Sequence, residues 1–172
     1  MLKKLSKYQK SAILYALIIA AGIVIDQLTK LLAVIYLKPV RDFPLIKDVF
    51  HLYYTENPGA AFGMLSNDRW VFMTFSTVMI LGMCVYLFFP KKQSRPLFNI
   101  AMAIVISGGI GNMIDRIAYG KVVDFFYFKL INFAIFNMAD VFVCVGAGLM
   151  ILDVILEIIE ESKKAKAKKN DL

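Results

Sequence analysis

The sequence is poor in the residues that build metal centres and disulfide frameworks. It has one histidine, His51, and two cysteines, Cys84 and Cys144, among 172 residues. A zinc site made of several histidines cannot be assembled from one imidazole. Each cysteine lies within an apolar run, where a thiol usually behaves as a small hydrophobic side chain and not as half of a disulfide. We therefore expect neither a metal nor another cofactor.

Charged residues are also scarce, at 19% of the sequence, whereas hydrophobic residues make up 59% and the mean hydropathy is +0.66. This composition excludes an ordinary soluble domain. The net charge of +7 does not indicate nucleic-acid binding, because the lysines and arginines are concentrated in short segments beside apolar runs. We expect one membrane domain covering residues 1–172, with lipids around it and no nucleic-acid partner.

Four apolar stretches are long enough to be transmembrane helices. They cover approximately residues 11–37, 70–89, 96–116 and 136–158. About 20 helical residues, at about 1.5 Å rise per residue, cross a hydrocarbon core of roughly 30 Å. The alternative for the first stretch is a cleaved signal peptide, because four lysines precede it. Its continuation through Asp26 and Lys30 to Leu37 is too long for that.

Lysine and arginine are distributed unevenly along the chain. Twelve of the twenty precede the first stretch, join the second to the third, or follow the fourth. This bias predicts cytoplasmic termini and outward-facing segments at 38–69 and 119–135. Residues 160–172 are predicted to be a basic, frayed cytoplasmic tail with lysines at the inner leaflet. Within the first outer segment, residues 40–64 mix Pro, Gly and aromatic residues, a pattern typical of short strands and turns.

Polar side chains from several segments are predicted to meet near the outer ends of the helices. Such groups are costly to bury in a membrane, so we treat them as functional candidates. They are Asp26 and Lys30 in the first stretch, Asn112, Asp115 and Arg116 in the third, Asp124 in the second outer loop, and Asn137 and Asp140 at the start of the fourth. Asp153 and Glu157, near the opposite end of the fourth stretch, are interpreted as ordinary interfacial acids.

Two opposite-charge pairs are interpreted as neutralising partners that make burial tolerable. Asp26 and Lys30 are four residues apart and share one helix face, while Asp115 and Arg116 are adjacent. Both pairs would support the site without reacting.

Small residues in the third and fourth stretches predict close helix packing, because they let two backbones approach. They are Ser107, Gly108, Gly109 and Gly111 in the third stretch, and Gly146 and Gly148 in the fourth.

Asp124 and Asp140 differ from the other acids, because neither has an obvious basic partner in its own helix or loop. Lys121 and Lys129 are nearest in sequence, and we expect both to be solvated. If folding brings the two carboxyl groups together, repulsion and apolar surroundings favour one proton shared by the pair. The ionised acid could then activate water while the protonated acid donates to an oxyanion, as in an aspartic protease. The alternative is that both acids cap the fourth helix near its positive end.

Five sequence blocks together resemble the lipoprotein signal peptidase (signal peptidase II) family of bacteria. They are residues 26–30 (DQLTK), 57–63 (NPGAAFG), 111–116 (GNMIDR), 122–125 (VVDF) and 136–140 (FNMAD). The blocks occur in order over nearly the whole chain. Ser107 departs from the family pattern, in which a glycine is commoner, but this small-for-small change affects no catalytic position.

The resemblance implies roles for individual residues. Asp124 and Asp140 would be the catalytic aspartates. Asn57, Asn112, Arg116 and Asn137 would line the site and position the substrate. Asp26, Lys30 and Asp115 would support the site, and Gly108 and Gly111 would support it through helix packing.

The resemblance also implies a fold, an activity and a location. The fold would be an all-α integral membrane fold of four transmembrane helices, with a small extracytoplasmic β-cradle and a short surface helix between spans. The activity would be that of a membrane aspartic endopeptidase, which cleaves a prolipoprotein before a cysteine that carries diacylglycerol. We expect a monomer in the bacterial cytoplasmic (inner) membrane, with the active site near the extracytoplasmic face and the outer loops 40–66 and 119–135 as clamp and lid.

Two other classes of protein remain as alternatives. A small proton-coupled transporter would use Asp26, Asp115 and Asp140 as a relay across the bilayer. A structural membrane subunit would tolerate the loss of Asp124.

Overall fold

The computed structural model describes residues 6–59, 69–89 and 95–170. Within these ranges the chain forms four α-helices and a three-stranded sheet. The helices are α1 (Lys7–Leu32), α2 (Arg69–Phe88), α3 (Pro96–Ala118) and α4 (Met138–Asn170), and the strands are β1 (Asp42–Ile46), β2 (Phe50–Asn57) and β3 (Val122–Tyr127). A π-helical turn, Ala33–Leu37, continues α1, and a 3-10 turn, Lys129–Ile131, follows β3.

Three helical segments of the described chain are long and apolar enough to cross a membrane: Lys7–Leu37, Pro96–Ala118 and Met138–Ala167. Three of the four predicted stretches thus form helices of spanning length. The predicted stretch 70–89 also forms a helix, and Met73–Phe88 within it is a shorter apolar segment. These helices make the chain a membrane protein.

Helix α3 lies at the centre of the bundle and contacts α1, α2 and α4. Its residues Ala101, Ala103 and Ile106 are completely buried. Ala103 and Ile106 pack with Tyr15 of α1 and Leu87 of α2, among others, in one apolar core. Because α1, α2 and α4 all pack against α3, polar groups near its carboxyl-terminal end lie inside the bundle.

Glycines allow the close helix contacts that the sequence predicts. A Cβ atom at Gly108 would overlap the carbonyl oxygen of Ala139 in α4, and one at Gly111 would overlap the Asp26 carboxylate of α1. Gly109 faces Ile80 of α2, and Gly146 faces the backbone of α3 at Ala101 and Val105. The expectation for Gly148 is wrong, because no described atom outside its own helical surroundings lies within 4 Å of a Cβ built there.

The three strands form one antiparallel sheet in the order β1-β2-β3. Strands β1 and β2 confirm the prediction of short strands in the first outer segment. The prediction that Asp124 lies in a loop is wrong, because it lies on β3, opposite Thr55 of β2. The valines and aromatic residues of β3 are typical strand formers, which explains the difference. A bridge between Phe126 and Phe136 joins β3 to the residues that lead into α4.

The basic tail is helical and not frayed, because α4 continues to Asn170. The segment is rich in Ala, Glu and Lys, which are strong helix formers. An ion pair one turn apart, between Lys164 Nζ and Glu160 Oε1 at 2.6 Å, adds local support.

Several predicted features fall partly outside the described residues. Residues 60–63 of the block 57–63 do so, as does the rest of the outer segment 60–68. The predicted short surface helix between spans has one counterpart among the described residues 38–59 and 119–137. It is the 3-10 turn Lys129–Ile131.

Candidate active site

Asp124 lies in the middle of β3 and is only 3% exposed. Its carboxyl oxygens accept hydrogen bonds from two amide side chains: Oδ2 from Asn57 Nδ2 at 3.1 Å, and Oδ1 from Asn137 Nδ2 at 2.6 Å. Burial raises the pKa of Asp124 to about 6. The charge of Asp140 also raises this pKa, whereas the hydrogen bonds from Asn57 and Asn137 lower it. The carboxyl group therefore exchanges its proton close to neutral pH.

Asp140 lies in the first turn of α4, with both carboxyl oxygens hydrogen-bonded. Oδ1 accepts from Asn112 Nδ2 at 2.9 Å, and Oδ2 accepts from the backbone N–H of Asn137 at 3.1 Å. In return, the N–H of Asp140 donates to Asn137 Oδ1 at 3.2 Å. This reciprocal arrangement is a capping box. Asp140 thus caps α4, as one alternative predicts, while it also borders the cavity described below.

Asn137 and Asn112 connect the two acids. The amide nitrogen of Asn137 donates to Asp124 and also to Asn112 Oδ1, the latter at 3.1 Å. The amide nitrogen of Asn112 in turn donates to Asp140. Two side-chain amides therefore set the relative positions of carboxyl groups that come from a strand and a helix.

A buried ion cluster lies behind this network. Lys30 Nζ is 2.8 Å from Asp26 Oδ2 and 2.8 Å from Asp115 Oδ2. The predicted pair Asp26–Lys30 is confirmed. Asp115 turns toward α1 and pairs with Lys30, and its charge also acts on the guanidinium of the adjacent Arg116.

The sequence analysis assigned no role to Gln27, although it belongs to the block 26–30. Its Nε2 donates to Asp115 Oδ1 at 2.9 Å and to the carbonyl oxygen of Gly111 at 3.2 Å. Gln27 therefore joins α1 to α3 beside the ion cluster. The feature of the sequence that could have identified Gln27 is its position next to Asp26 in a polar block.

Arg116 is on the cavity side of α3. Its Nη1 donates to the carbonyl oxygen of Asn112 at 3.2 Å, and its charge interacts with those of Asp140 and Asp124. The nearby lysines have other partners, since Lys121 pairs with Glu56 at 2.5 Å and Lys129 with Asp48 at 3.0 Å. Both lysine side chains are more than 40% exposed, as expected for solvated residues.

One cavity of about 710 Å³ brings the predicted site residues together. Its polar lining includes Asn57, Asn112, Arg116, Asp124, Asn137 and Asp140, and its apolar lining includes Val122, Phe133, Phe136, Val141 and Val145. The six residues predicted to react or to line the site thus border one space. Asp26, Lys30 and Asp115 lie behind it. Among the described residues, no three His, Cys, Asp or Glu side chains group as a metal site would require.

Glu56 lies at the cavity edge and holds a second polar cluster. Hydrogen bonds from Lys121, Tyr54 and Lys38 lower the pKa of its carboxyl group to about 2. Lys38 directly follows the π-helical turn Ala33–Leu37 that continues α1, and Lys121 directly precedes β3. The cluster therefore ties the sheet to both neighbouring segments next to Asn57.

The fold and the site define a membrane protein with two carboxyl groups, linked by amides, beside a largely apolar cavity. The family model of signal peptidase (SPase) II matches residues 18–156. The chain is 46% identical over 144 residues to the lipoprotein signal peptidase of Brevibacillus brevis, which covers 83% of this chain and 95% of that protein. It is 38% identical over 159 residues to the lipoprotein signal peptidase of Halalkalibacterium halodurans, which covers 91% and 99%.

A solved structure described as a bacterial membrane enzyme has the same fold, with a TM-score of 0.75 and 29% sequence identity. The alignment covers 84% of this chain and 88% of that one. The chain belongs to the signal peptidase II family, as its five blocks indicated, and is a peptidase. These relatives give the transporter alternative no support.

Proposed function

We propose that the protein removes signal peptides from diacylglyceryl-modified prolipoproteins, cleaving before the lipidated cysteine with Asp124 and Asp140 as the catalytic pair. The observation that carries this proposal is the shared cavity, in which Asn112 and Asn137 link the two carboxyl groups. The substrate class is supported by the names of the relatives, which are lipoprotein signal peptidases.

The catalytic cycle begins with one proton on the pair. We assign this proton to Asp124, because burial and the charge of Asp140 raise its pKa to about 6. Asp140, as the carboxylate, takes a proton from water while the water oxygen attacks the scissile carbonyl carbon. Asp124 donates its proton to the carbonyl oxygen, which gives a neutral tetrahedral intermediate. The intermediate collapses when the C–N bond breaks: Asp140 gives its proton to the leaving amine, while Asp124 takes a proton back from a hydroxyl group of the intermediate. The products are the carboxylic acid and the amine, and the pair again holds one proton on Asp124.

The cavity lining suits a substrate that is partly peptide and partly lipid. The amides of Asn57 and Asn112 and the guanidinium of Arg116 provide polar contacts for a peptide backbone, while Val141 and Val145 continue the apolar wall along α4. Acyl chains anchored in the bilayer would hold the scissile bond at the level of the acids. Binding energy from such remote parts then positions the reacting atoms.

The outer loops are proposed to close over the bound substrate. Aromatic rings of the second outer segment pack against one another, with ring centroids 5.5 Å apart for Phe126 and Phe136 and 5.9 Å apart for Phe128 and Phe136. Such a cluster could move as a unit and exclude water around the acids. Stiffening or shortening segment 128–135 should then slow cleavage.

The proposed location is the bacterial inner membrane, with both termini in the cytoplasm. In this arrangement α2 also spans the membrane, which brings the number of spans to four. The active site lies near the extracytoplasmic face, and the protein acts as a monomer. The bias of lysine and arginine toward alternate loops supports it. Water then reaches the acids from the outer surface while the lipid part of the substrate stays in the bilayer.

The test is cleavage of a diacylated prolipoprotein by purified enzyme in detergent. Asp124→Asn and Asp140→Asn should each lower the cleavage rate by about 10²–10⁴-fold, the usual contribution of a general acid or base. Asp48→Asn is the matched control, because Asp48 is an exposed acid of the outer segment that pairs with Lys129. Normal cleavage by either site variant would refute the catalytic assignment. A folded wild-type protein that cuts no lipoprotein would refute the proposed function.

A further inference from the structure

The side-chain amide of Asn112 has a definite direction. Its oxygen Oδ1 accepts from Lys30 Nζ at 2.9 Å and from Asn137 Nδ2 at 3.1 Å, while its nitrogen Nδ2 donates to Asp140 Oδ1 at 2.9 Å. A reversed amide would turn its own N–H groups toward two donors and its oxygen toward a carboxylate. The observed direction is therefore the one that satisfies all three neighbours.

Lys30 is the fixed part of this arrangement. Its side chain is 5% exposed, and its ammonium nitrogen reaches Asp26, Asp115 and Asn112 at 2.8, 2.8 and 2.9 Å. An ammonium group has three donors and no acceptor. Lys30 donates hydrogen bonds to Asp26 Oδ2 and Asn112 Oδ1, and its contact with Asp115 is an ion pair. It can present only a donor to Asn112, whatever the state of the rest of the site.

We infer that Lys30 is a positioning residue of the peptidase, which fixes the amide of Asn112 so that its N–H points at the catalytic Asp140. This inference rests on the proposed function, because it assigns a role in the reaction of that site. Lys30 itself does not border the cavity, whereas Asn112 does. It acts through Asn112.

The direction of the Asn112 amide also affects Asp124, through Asn137. The two hydrogens of the Asn137 amide go to Asn112 Oδ1 and Asp124 Oδ1, and its oxygen accepts from the N–H of Asp140. A turned Asn112 would take the acceptor away from Asn137. Both carboxyl groups therefore depend on the direction of one amide, which a buried cation sets.

This role goes beyond charge neutralisation. The cluster of Lys30 with Asp26 and Asp115 has a net charge of −1, so it is not fully neutralised even with the lysine in place. A purely neutralising cation could lie anywhere close to the two acids. A positioning cation has to reach Asn112 Oδ1, and it does.

The decisive variant is the charge-matched double substitution Lys30→Met with Asp115→Asn. It removes the donor to Asn112 but keeps the net charge of the cluster at −1, carried by Asp26. Its charge-matched reference is the wild-type enzyme, whose cluster also carries −1. Asp115→Asn alone, which keeps Lys30 and has a net charge of 0, is measured beside them to give the loss due to that substitution. We expect kcat about 10²-fold below that of the reference, the scale of a misplaced reacting group, with KM unchanged. Equal kcat values, or a loss confined to KM, would overturn the inference.

A double-mutant cycle with Asn112→Ala tests whether Lys30 acts through Asn112. In the Asn112→Ala background, adding Lys30→Met to Asp115→Asn should cause no further loss of kcat, because the amide that Lys30 fixes is gone. Additive losses would overturn the inference. If the first double variant does not fold, Lys30→Met with Asp26→Asn is also charge-matched and takes its place.

The two proposals fail in different ways. If the wild-type enzyme cleaves a diacylated prolipoprotein but the charge-matched variant is as fast as its reference, only the role of Lys30 is refuted. If the folded wild-type enzyme does not cleave that substrate, the proposed function fails first.

Discussion

The carboxylate of Asp26 on α1 accepts a hydrogen bond from the backbone N–H of Ala139 in the first turn of α4, with Oδ1 and N 2.9 Å apart. The first N–H groups of a helix have no acceptor within the helix. Here one acceptor comes from another helix, and Asn137 and Asp140 supply others. Helix α1 thereby holds the end of α4 that carries Asp140.

Removal of this acceptor should destabilise the protein. Asp26→Ala and Asp26→Asn both lose the negative charge, but only Asn keeps an oxygen for the N–H of Ala139. We expect the free energy of unfolding of the Ala variant to be about 0.5–2 kcal/mol lower than that of the Asn variant, as for other helix caps. Thermal unfolding of both in the same detergent measures this difference. Identical melting temperatures would show that the cap contributes nothing.

Gly111→Ala should disturb the ion cluster, because the new Cβ would come within 2.9 Å of the Asp26 carboxyl carbon. Overpacking of this kind typically costs about 1–3 kcal/mol. Gly148→Ala is the matched control, since nothing described lies near its Cβ position and alanine favours a helix. We expect a lower melting temperature and slower cleavage for the first variant only. The packing argument is wrong if both variants unfold alike.

Asp124 should make the folding stability depend on pH. Its pKa rises from an ordinary 3.8 to about 6 in the folded state, so the folded chain holds this proton more tightly than the unfolded chain does. The free energy of unfolding then falls as the pH rises from about 4 to about 6, by up to about 3 kcal/mol at about 1.4 kcal/mol per pKa unit. Asp124→Asn removes this contribution. Unfolding curves of both proteins at pH 4 and pH 7 measure this effect. The stability of Asp124→Asn relative to that of the wild type should be higher at pH 7 than at pH 4.

Asp140→Asn should lower the pKa of Asp124, because the charge of Asp140 is one of its raising causes. Burial remains, so the pKa should stay above the ordinary value. Carbon-13 NMR of labelled aspartate carboxyl groups, with Asp124→Asn to assign the signal, would follow the titration. An unchanged midpoint would mean that the two acids do not sense each other.

The proposed topology predicts the location of reporter fusions. Alkaline phosphatase joined after residue 170 should be inactive and a fluorescent protein there should be bright, because that end is proposed to be cytoplasmic. The same phosphatase inserted between β1 and β2, at residues 47–49, should be active. A phosphatase that is active at the carboxyl end would refute the orientation.

Much of the fold could be predicted from the sequence, because few backbone structures can span a membrane. The apolar stretches that became α1, α3 and α4 are recognisable by length alone. The candidate site residues were accessible through their sequence blocks, and the structure places them around one cavity. The pair of Asp26 and Lys30 was accessible because both residues lie on one helix.

Contacts between elements could not be predicted from local spacing. Whether Asp115 pairs with Arg116 or with Lys30 depends on the rotation of α3 against α1, which tertiary packing decides. No feature of the sequence singled out Gly22, although a Cβ atom built on it would overlap the side chain of Ser107 in α3. Asp124 was predicted to lie in a loop, although the valines and aromatic residues around it favour a strand. Its pairing with β2, which is distant in sequence, could not be predicted from local spacing.

The bridge between Phe126 and Phe136 closes off the segment that separates Asp124 from Asp140. Asp124 lies just before the closure and Asp140 just after it, so their geometry is set by backbone pairing outside residues 127–135. A change of length or sequence in that segment should therefore act on its proposed closure over the substrate and leave the positions of the two acids unchanged.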